Sequence, residues 1–261
     1  VGFYVARQAT IVVSNIEFEV TAAATDAPRV YPPVQAIEPA VQILSLDRTS
    51  ETNYVFRAKA NASGAYTLKL GQTTIAQDVS GEAGKIVEIP ATLAMGNNKF
   101  TLTFIPDDTQ VLTSYDRIIS NFKVEVRTYR DGEDIYVSPT GTPEGDGSQE
   151  RPLDLDTAID FVLPGQKIIV QDGRYVRKSS LVIRKYNDGR EDAMKMLYAA
   201  EGANPIIDFD KKSEGVVHSG NYWHVKGLSF TRSADNYKGY TLGGNHNIIE
   251  LNKFYANGDT G

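Results

Sequence analysis

The 261-residue chain has no cysteine, so neither a disulfide nor a thiolate-bound metal holds it together, and its redox compartment stays open. Histidine is nearly absent as well: His218, His224 and His246 stand 6 and 22 residues apart. Those spacings fit no zinc motif, and packing or surface roles are expected for all three. No apolar stretch approaches the roughly 18 residues of a membrane span. No run of Lys or Arg relieves the formal net charge of −6, which argues against a nucleic-acid partner. A local basic groove on an acidic protein is still compatible with an acidic ligand. There is no Gly-x-Ser-x-Gly elbow and no Walker-type loop, so acyl and phosphoryl transfer are unsupported. The Gly-rich stretch 141–148 has no lysine to cradle phosphate and reads as a plain connection.

What is present is strand. Apolar residues fall at every second position in Tyr66–Leu70, Lys99–Phe104 and Phe122–Val126, a period that puts one face on a core and the other in water. Gly71-Gln72 fits a two-residue hairpin turn between Leu70 and Thr73. Short strands at this spacing with no convincing helix predict an immunoglobulin-like β-sandwich over residues 1–130. Ala22–Pro39, rich in Ala and Pro, reads as a linker, which would leave residues 1–25 as the end of a preceding module. The polar Arg130–Asp134 marks the boundary.

Beyond it the texture changes. Ile135–Ser138 reads as a short strand. Asp154 is placed to N-cap a helix with Leu155, Ala158, Ile159 and Val162 on one face and Pro164-Gly165 at its end. Short strands are expected at Ile168–Val170, Leu181–Ile183, Met196–Tyr198, Ile206–Ile207 and Val216–Val217, spaced too closely for crossover helices. The run Ile248–Leu251 with Phe254-Tyr255 reads as further strand. An offset of 24 residues lays 215–236 over 239–260 with five of 22 positions identical, against roughly one or two by chance at ordinary composition. A period of this size built of short strands is what a β-solenoid requires, each coil covering the edge of the last. Asn221 and Asn245 would then stack one coil apart, either as an amide ladder or as ordinary turn residues. The turn Asn257–Gly261 would lead into another coil, so the chain reads as an N-terminal excerpt cut at both ends.

Ile135–Pro139, the Gly-Asp-Gly-Ser loop at 145–148, Arg151-Pro152-Leu153, the helix through Ala158, Pro164–Ile168 and Asp172–Tyr175 form an ordered series. It resembles the opening of right-handed parallel β-helix polysaccharide lyases. Tyr222–Leu228 and Asn257–Gly261 are similar to the family-nine pectate lyases in particular. The resemblance covers residues 134–261, assigned to the N-terminal cap and first coils of a right-handed parallel β-helix, so that the whole chain is expected to be all-β. It implies β-elimination on polygalacturonate or pectin, with a lysine base and Ca²⁺ neutralising the uronate carboxylate. In that family the calcium motif and the lysine lie on coils beyond the Asn-Gly-Asp-Thr-Gly element, so no residue here is matched to either role, and this stretch alone is expected to have no lyase activity. An anionic polysaccharide partner, a monomer and an extracytoplasmic bacterial location follow from the same resemblance. The sandwich would position the enzyme or bind glycan. The rival readings are a β-helix lyase for alginate or a glycosaminoglycan, and a non-catalytic glycan-binding surface protein.

Among the residues themselves, Arg174, Arg177, Lys178, Arg184 and Lys185 form the densest basic cluster. Projecting from one face they would contact an anionic sugar chain; otherwise they solubilise the surface. Trp223, the only tryptophan, would either stack on a sugar ring or fill the core. Asp208, Asp210, Asp188 and Asp192 lack a calcium-loop pattern and read as solvated turn carboxylates rather than a metal site.

Overall fold

The computed structural model describes residues 34–259. The module expected over residues 1–25 and most of the linker expected over Ala22–Pro39 lie outside the described residues. Contacts divide the chain after Ala36, and residues from Ile37 onward form one compact unit.

The first eight strands are β1 Val41–Ile43, β2 Arg48–Thr49, β3 Asn53–Ala60, β4 Gly64–Leu70, β5 Thr73–Gly81, β6 Val87–Thr92, β7 Gly96–Pro106 and β8 Ile118–Val126. They form two sheets, β1-β3-β6 and β2-β8-β7-β4-β5, antiparallel except where β2 runs parallel to β8. The two-residue alternation is kept in β3, β4 and β7: Phe56, Tyr66, Leu68, Phe100, Leu102 and Phe104 are buried between the sheets. The phenyl rings meet tilted or edge-on, Phe56 to Phe100 at 5.1 Å and Tyr66 to Phe104 at 4.7 Å, which suits the ring quadrupoles. Gly71-Gln72 turns β4 into β5 as its spacing predicts, with Leu70 opposite Thr73 and Gly71 at φ 60°.

From residue 135 all the sheets are parallel. The strands are β9 Ile135–Val137, β10 Lys167–Val170, β11 Arg174–Val176, β12 Leu181–Ile183, β13 Lys195–Ala199, β14 Ile206–Asp208, β15 Val216–His218, β16 Trp223–Lys226, β17 Ser229–Thr231, β18 Tyr240–Leu242, β19 Ile248–Glu250 and β20 Lys253–Tyr255. They stack as three walls, β9-β10-β13-β16-β19, β11-β14-β17-β20 and β12-β15-β18, and the chain visits each wall in turn. The coil length is uneven. On the first wall Ile168 lies beside Leu197, Leu197 beside Val225 and Val225 beside Ile249, so the step shrinks from 29 to 28 to 24 residues. The predicted 24-residue register holds between the last two coils on all three walls.

Inside the coils like residues stack on like: Ile135, Ile168, Leu197 and Val225 on one wall, Tyr175, Ile207 and Phe230 on the next. Helix α1, Leu155–Phe161, covers the open end of this column. Asp154 caps it, accepting from the Thr157 amide at 2.9 Å and its hydroxyl at 2.6 Å, so the N-cap predicted from sequence is in place. The Gly-rich loop before it is held by contact: a Cβ on Gly141 would come within 1.9 Å of the Leu153 carbonyl oxygen. Two details differ from the sequence reading. Leu251, at φ 55°, breaks the run expected as one strand into β19 and β20 on different walls. Strand β11, flanked by turns and only three residues long, gave no periodic signal.

The asparagines also act differently. Asn221 takes its neighbour's backbone, accepting from the Asn245 amide N–H at 2.8 Å, so the stack is side chain to backbone rather than amide to amide. The fuller version recurs on the last coil, where Asn247, Asn252 and Asn257 accept from the N–H groups of Trp223, Leu228 and Ser233. The same three side chains donate back to the carbonyls of Gly220, Val225 and Phe230.

Candidate substrate-binding surface

The three-walled coil disperses the basic cluster seen in sequence. Arg174 opens β11 with its guanidinium half exposed, but it is paired with Asp208 of the next coil. Arg177 has turned onto the helix, donating to both oxygens of Asp156 at 2.8 and 3.0 Å. Arg184 lies against the sandwich between Asp47 and Asp160. Lys178 is exposed, and Lys185 sits 5.1 Å from the Tyr186 ring. The five do not share a face, because the bend between β11 and β12 turns the chain from one wall to the next. Trp223 is 0% exposed, its indole N–H given to the Asn187 carbonyl at 2.7 Å. Its ring lies in the core among apolar side chains.

Asp208 corrects another expectation. It is 0% exposed rather than solvated, because Arg174 from the coil before and Arg232 from the coil after close over it. Arg232 donates to Asp208 at 2.8 Å and to Asp210 at 2.7 Å, and the Asp210 amide donates to Asp208 at 2.9 Å. Burial works against the charge on Asp208, but these hydrogen bonds outweigh it and hold the carboxyl below its ordinary range. The result is a ladder of alternating charge along the second wall.

A second constellation occupies the outer face of the first wall. The Tyr198 hydroxyl lies 2.7 Å from His224 Nδ1, and His224 Nε2 lies 3.1 Å from Glu250 Oε1. Lys226 reaches the same Glu250 oxygen at 3.0 Å and sits 6.0 Å from the Tyr198 ring. The bonds from Lys226 and His224 lower the Glu250 pKa, while burial raises that of Tyr198 despite Lys226. A carboxylate orienting an imidazole that meets a phenol is an arrangement able to pass a proton. Sequence reasoning missed it: His224 was read as a packing or surface residue, and Tyr198, His224 and Glu250 meet only as diagonal neighbours on adjacent coils.

Comparison with known proteins bears on both halves. Residues 135–261 match the family model for a Pel9A-like right-handed β-helix region, and residues 42–124 match the central Ig-like domain of pectate disaccharide-lyase. Over its whole length the chain is 54% identical to Pectate lyase L of Thermoclostridium stercorarium, spanning 21% of that protein. Residues 135–261 are similar to the β-helix of the family-nine pectate lyases. Pectate disaccharide-lyase of Dickeya chrysanthemi is 27% identical over 96% of the chain, which spans 31% of that relative. The crystal structure of pectate lyase Pel9A aligns with a TM-score of 0.43 at 26% identity, over 49% of this chain and 35% of that one. The two family models and the sheets described above make the fold an Ig-like domain followed by a right-handed parallel β-helix, and the chain spans about a fifth to a third of the length of these curated relatives.

The family's calcium does not fit the carboxylates of these coils. Among the described residues no group of three or more His, Asp and Glu converges to hold a metal. Asp208 has both oxygens bound by guanidinium groups, and Asp188 accepts from the Asn221 amide at 2.8 Å. An ion needs several oxygens free to converge on it, and here they are committed to stacking the coils.

Proposed function

We propose that this chain is the sandwich, cap and first coils of a polysaccharide lyase that cleaves polygalacturonate by β-elimination. The observation that carries the reading is the match along the whole chain, sandwich and coils alike, to a protein named pectate lyase. It favours pectate over alginate or a glycosaminoglycan, and an enzyme over a glycan-binding surface protein. We divide the chain into a sandwich over 1–130 and a cap with coils over 131–261.

In this reading the described coils are scaffold and flank. Arg174 and Lys178 keep charge facing solvent and are assigned to the anionic chain. Arg177 and Arg184 are spent on Asp156 and on Asp47 and Asp160, and no residue of this chain is assigned to base or calcium. Acting on a polymer, the enzyme works outside the cytoplasm, as a bacterial protein and a monomer. None of the described helices is long and apolar enough to cross a membrane.

The test is ultraviolet absorbance of unsaturated uronides released by the uninterrupted gene product. Growth of the signal on polygalacturonate, removed by chelator and restored by Ca²⁺, is expected. Product from alginate or chondroitin but not from polygalacturonate would overturn the substrate, and a folded protein silent on all three would overturn the enzyme.

A further inference from the structure

The outer face of the five-stranded sandwich sheet carries a concentration of positive charge that no carboxylate among the described residues pairs with. Lys99 on β7 and Lys123 on β8 are directly opposite in the antiparallel register, and both are exposed. Facing cross-strand positions bring Cβ atoms to about 4.5–5.5 Å, where like charges destabilise the pair. One residue pair along, Lys69 on β4 faces Thr101, which faces Asn121, so three lysines share this face with a row of hydroxyl and amide groups. None of their three ammonium groups takes part in an ion pair or side-chain hydrogen bond among the described residues. The nearest acid on β8, Glu125, is bound to Arg127 at 2.5 Å instead. What sets these lysines apart in a chain of net charge −6 is that three cations share one sheet face, two of them directly opposite.

The surface is also shaped. Lys99, Thr101, Asn121 and Lys123, with the Gly71-Gln72 turn, line a depression of about 390 Å³. The turn is fastened to its edge by the Gly71 amide, which donates to the Lys99 carbonyl at 2.8 Å. Thr101 donates to Asn121 Oδ1 at 3.0 Å, which orients the Asn121 amide and leaves its N–H₂ for a ligand. Cations set one to a strand across the sheet, interleaved with donors that suit hydroxyl groups, complement a chain of repeated carboxylates and hydroxyls. A neutral glycan or an isolated phosphate would use only part of the row.

We infer that this sheet face is a binding site for an anionic polyuronate chain, separate from the catalytic coils and serving to hold the polymer to the sandwich. The lyase reading enters only in the choice of polygalacturonate as first probe. Isothermal titration of this chain with polygalacturonate, alginate and neutral galactan tests it, using Lys99→Glu/Lys123→Glu and, as a control matching the charge change, Lys59→Glu/Lys85→Glu away from this face. Binding to polygalacturonate is expected, weakened at least about tenfold in Lys99→Glu/Lys123→Glu, unchanged in Lys59→Glu/Lys85→Glu, and weakened by raising the salt from about 0.05 to 0.5 M. An unchanged thermal transition in Lys99→Glu/Lys123→Glu shows that the sheet is intact. Binding to alginate alone would support the site and count against the pectate reading. No binding to either polyuronate, equal binding to galactan, or Lys99→Glu/Lys123→Glu binding as well as the parent would overturn the site and leave the lyase reading untouched.

Discussion

His218 and Lys195 point into the β-helix among apolar side chains, and burial lowers the pKa of both, so that each makes stability rise with pH, in two different ranges. His218 is 0% exposed, with Nδ1 2.7 Å from the Tyr240 hydroxyl and Nε2 unpartnered. Burial lowers its pKa from 6.5 to about 4, so the unfolded chain takes up the proton first as pH falls. The stability it contributes is complete above pH 6.5 and is lost between 6.5 and 4, about 3 kcal/mol in all. Urea unfolding of His218→Leu beside the parent at pH 7 and pH 4.5 is expected to show the parent's extra loss absent from the variant. Lys195 is 3% exposed; its ammonium donates to Asn187 Oδ1 at 2.6 Å and lies 5.8 Å from the Trp223 ring. Burial lowers its pKa from 10.5 to about 8, against Glu51, Asp188 and Asp160 and with Arg190. Above pH 8 the folded state sheds a proton that the unfolded chain keeps, so stability rises with pH up to 10.5. Lys195→Met is expected to remove that rise, read as the difference between the two unfolding curves at pH 8 and pH 10.

At the scale of the element, a short parallel strand secures few bonds of its own, and the turns between walls leave backbone groups that the asparagines of the next coil satisfy. Asn252 accepts from Leu228 N–H and donates to the Val225 carbonyl, both at 2.9 Å. Asn252→Ala is expected to cost about 1–2 kcal/mol in chemical denaturation, the worth of two such bonds with one buried group left unmet. Asn257 shows the same fit from the other side: a Cβ on Gly239 would lie 2.3 Å from its Nδ2. The spacing of five residues between Asn247, Asn252 and Asn257 was visible in sequence, but its meaning was not. Each partner lies 24 or 27 residues away, and a turn asparagine looks the same whether it bonds its own turn or the coil beside it.

At the scale of the whole unit, sandwich and coils are clamped. Arg184 joins Asp47 to Asp160, Arg190 reaches Glu51 at 2.9 Å, and the Ser50 hydroxyl donates to the Val162 carbonyl at 2.9 Å. The Arg57 guanidinium lies 4.0 Å from the centre of the Tyr186 ring. Burial raises the pKa of Asp160 in spite of its two arginines, the mark of a charge taken out of water for this contact. A single calorimetric transition is expected for residues 37–261. Arg57→Ala with Arg184→Ala, each removing about 1–2 kcal/mol of partly exposed contact, is expected to split it in two. A single transition in the double variant would show that the apolar contacts alone couple the halves.

The sequence by itself determined whatever is local. The two-residue period of β4, β7 and β8, the Gly71-Gln72 turn, the Asp154 cap and the strand type from Lys167 onward follow from steric and hydrogen-bonding rules that act within a few residues. The repeat at 24 was legible because the last two coils keep one length. The earlier coils were not, since insertions in their turns alter the count while leaving the interior stacks in place. Only the tertiary structure decided which charged residues meet. Asp208 reads as a surface turn until coils on either side bring Arg174 and Arg232 over it. Tyr198, His224 and Glu250 become neighbours only once the register is set. That register is fixed by the buried columns of Ile, Leu and Val, because a slip of one residue would turn those side chains to water. The outer faces, where ligands meet the protein, inherit their arrangement from it.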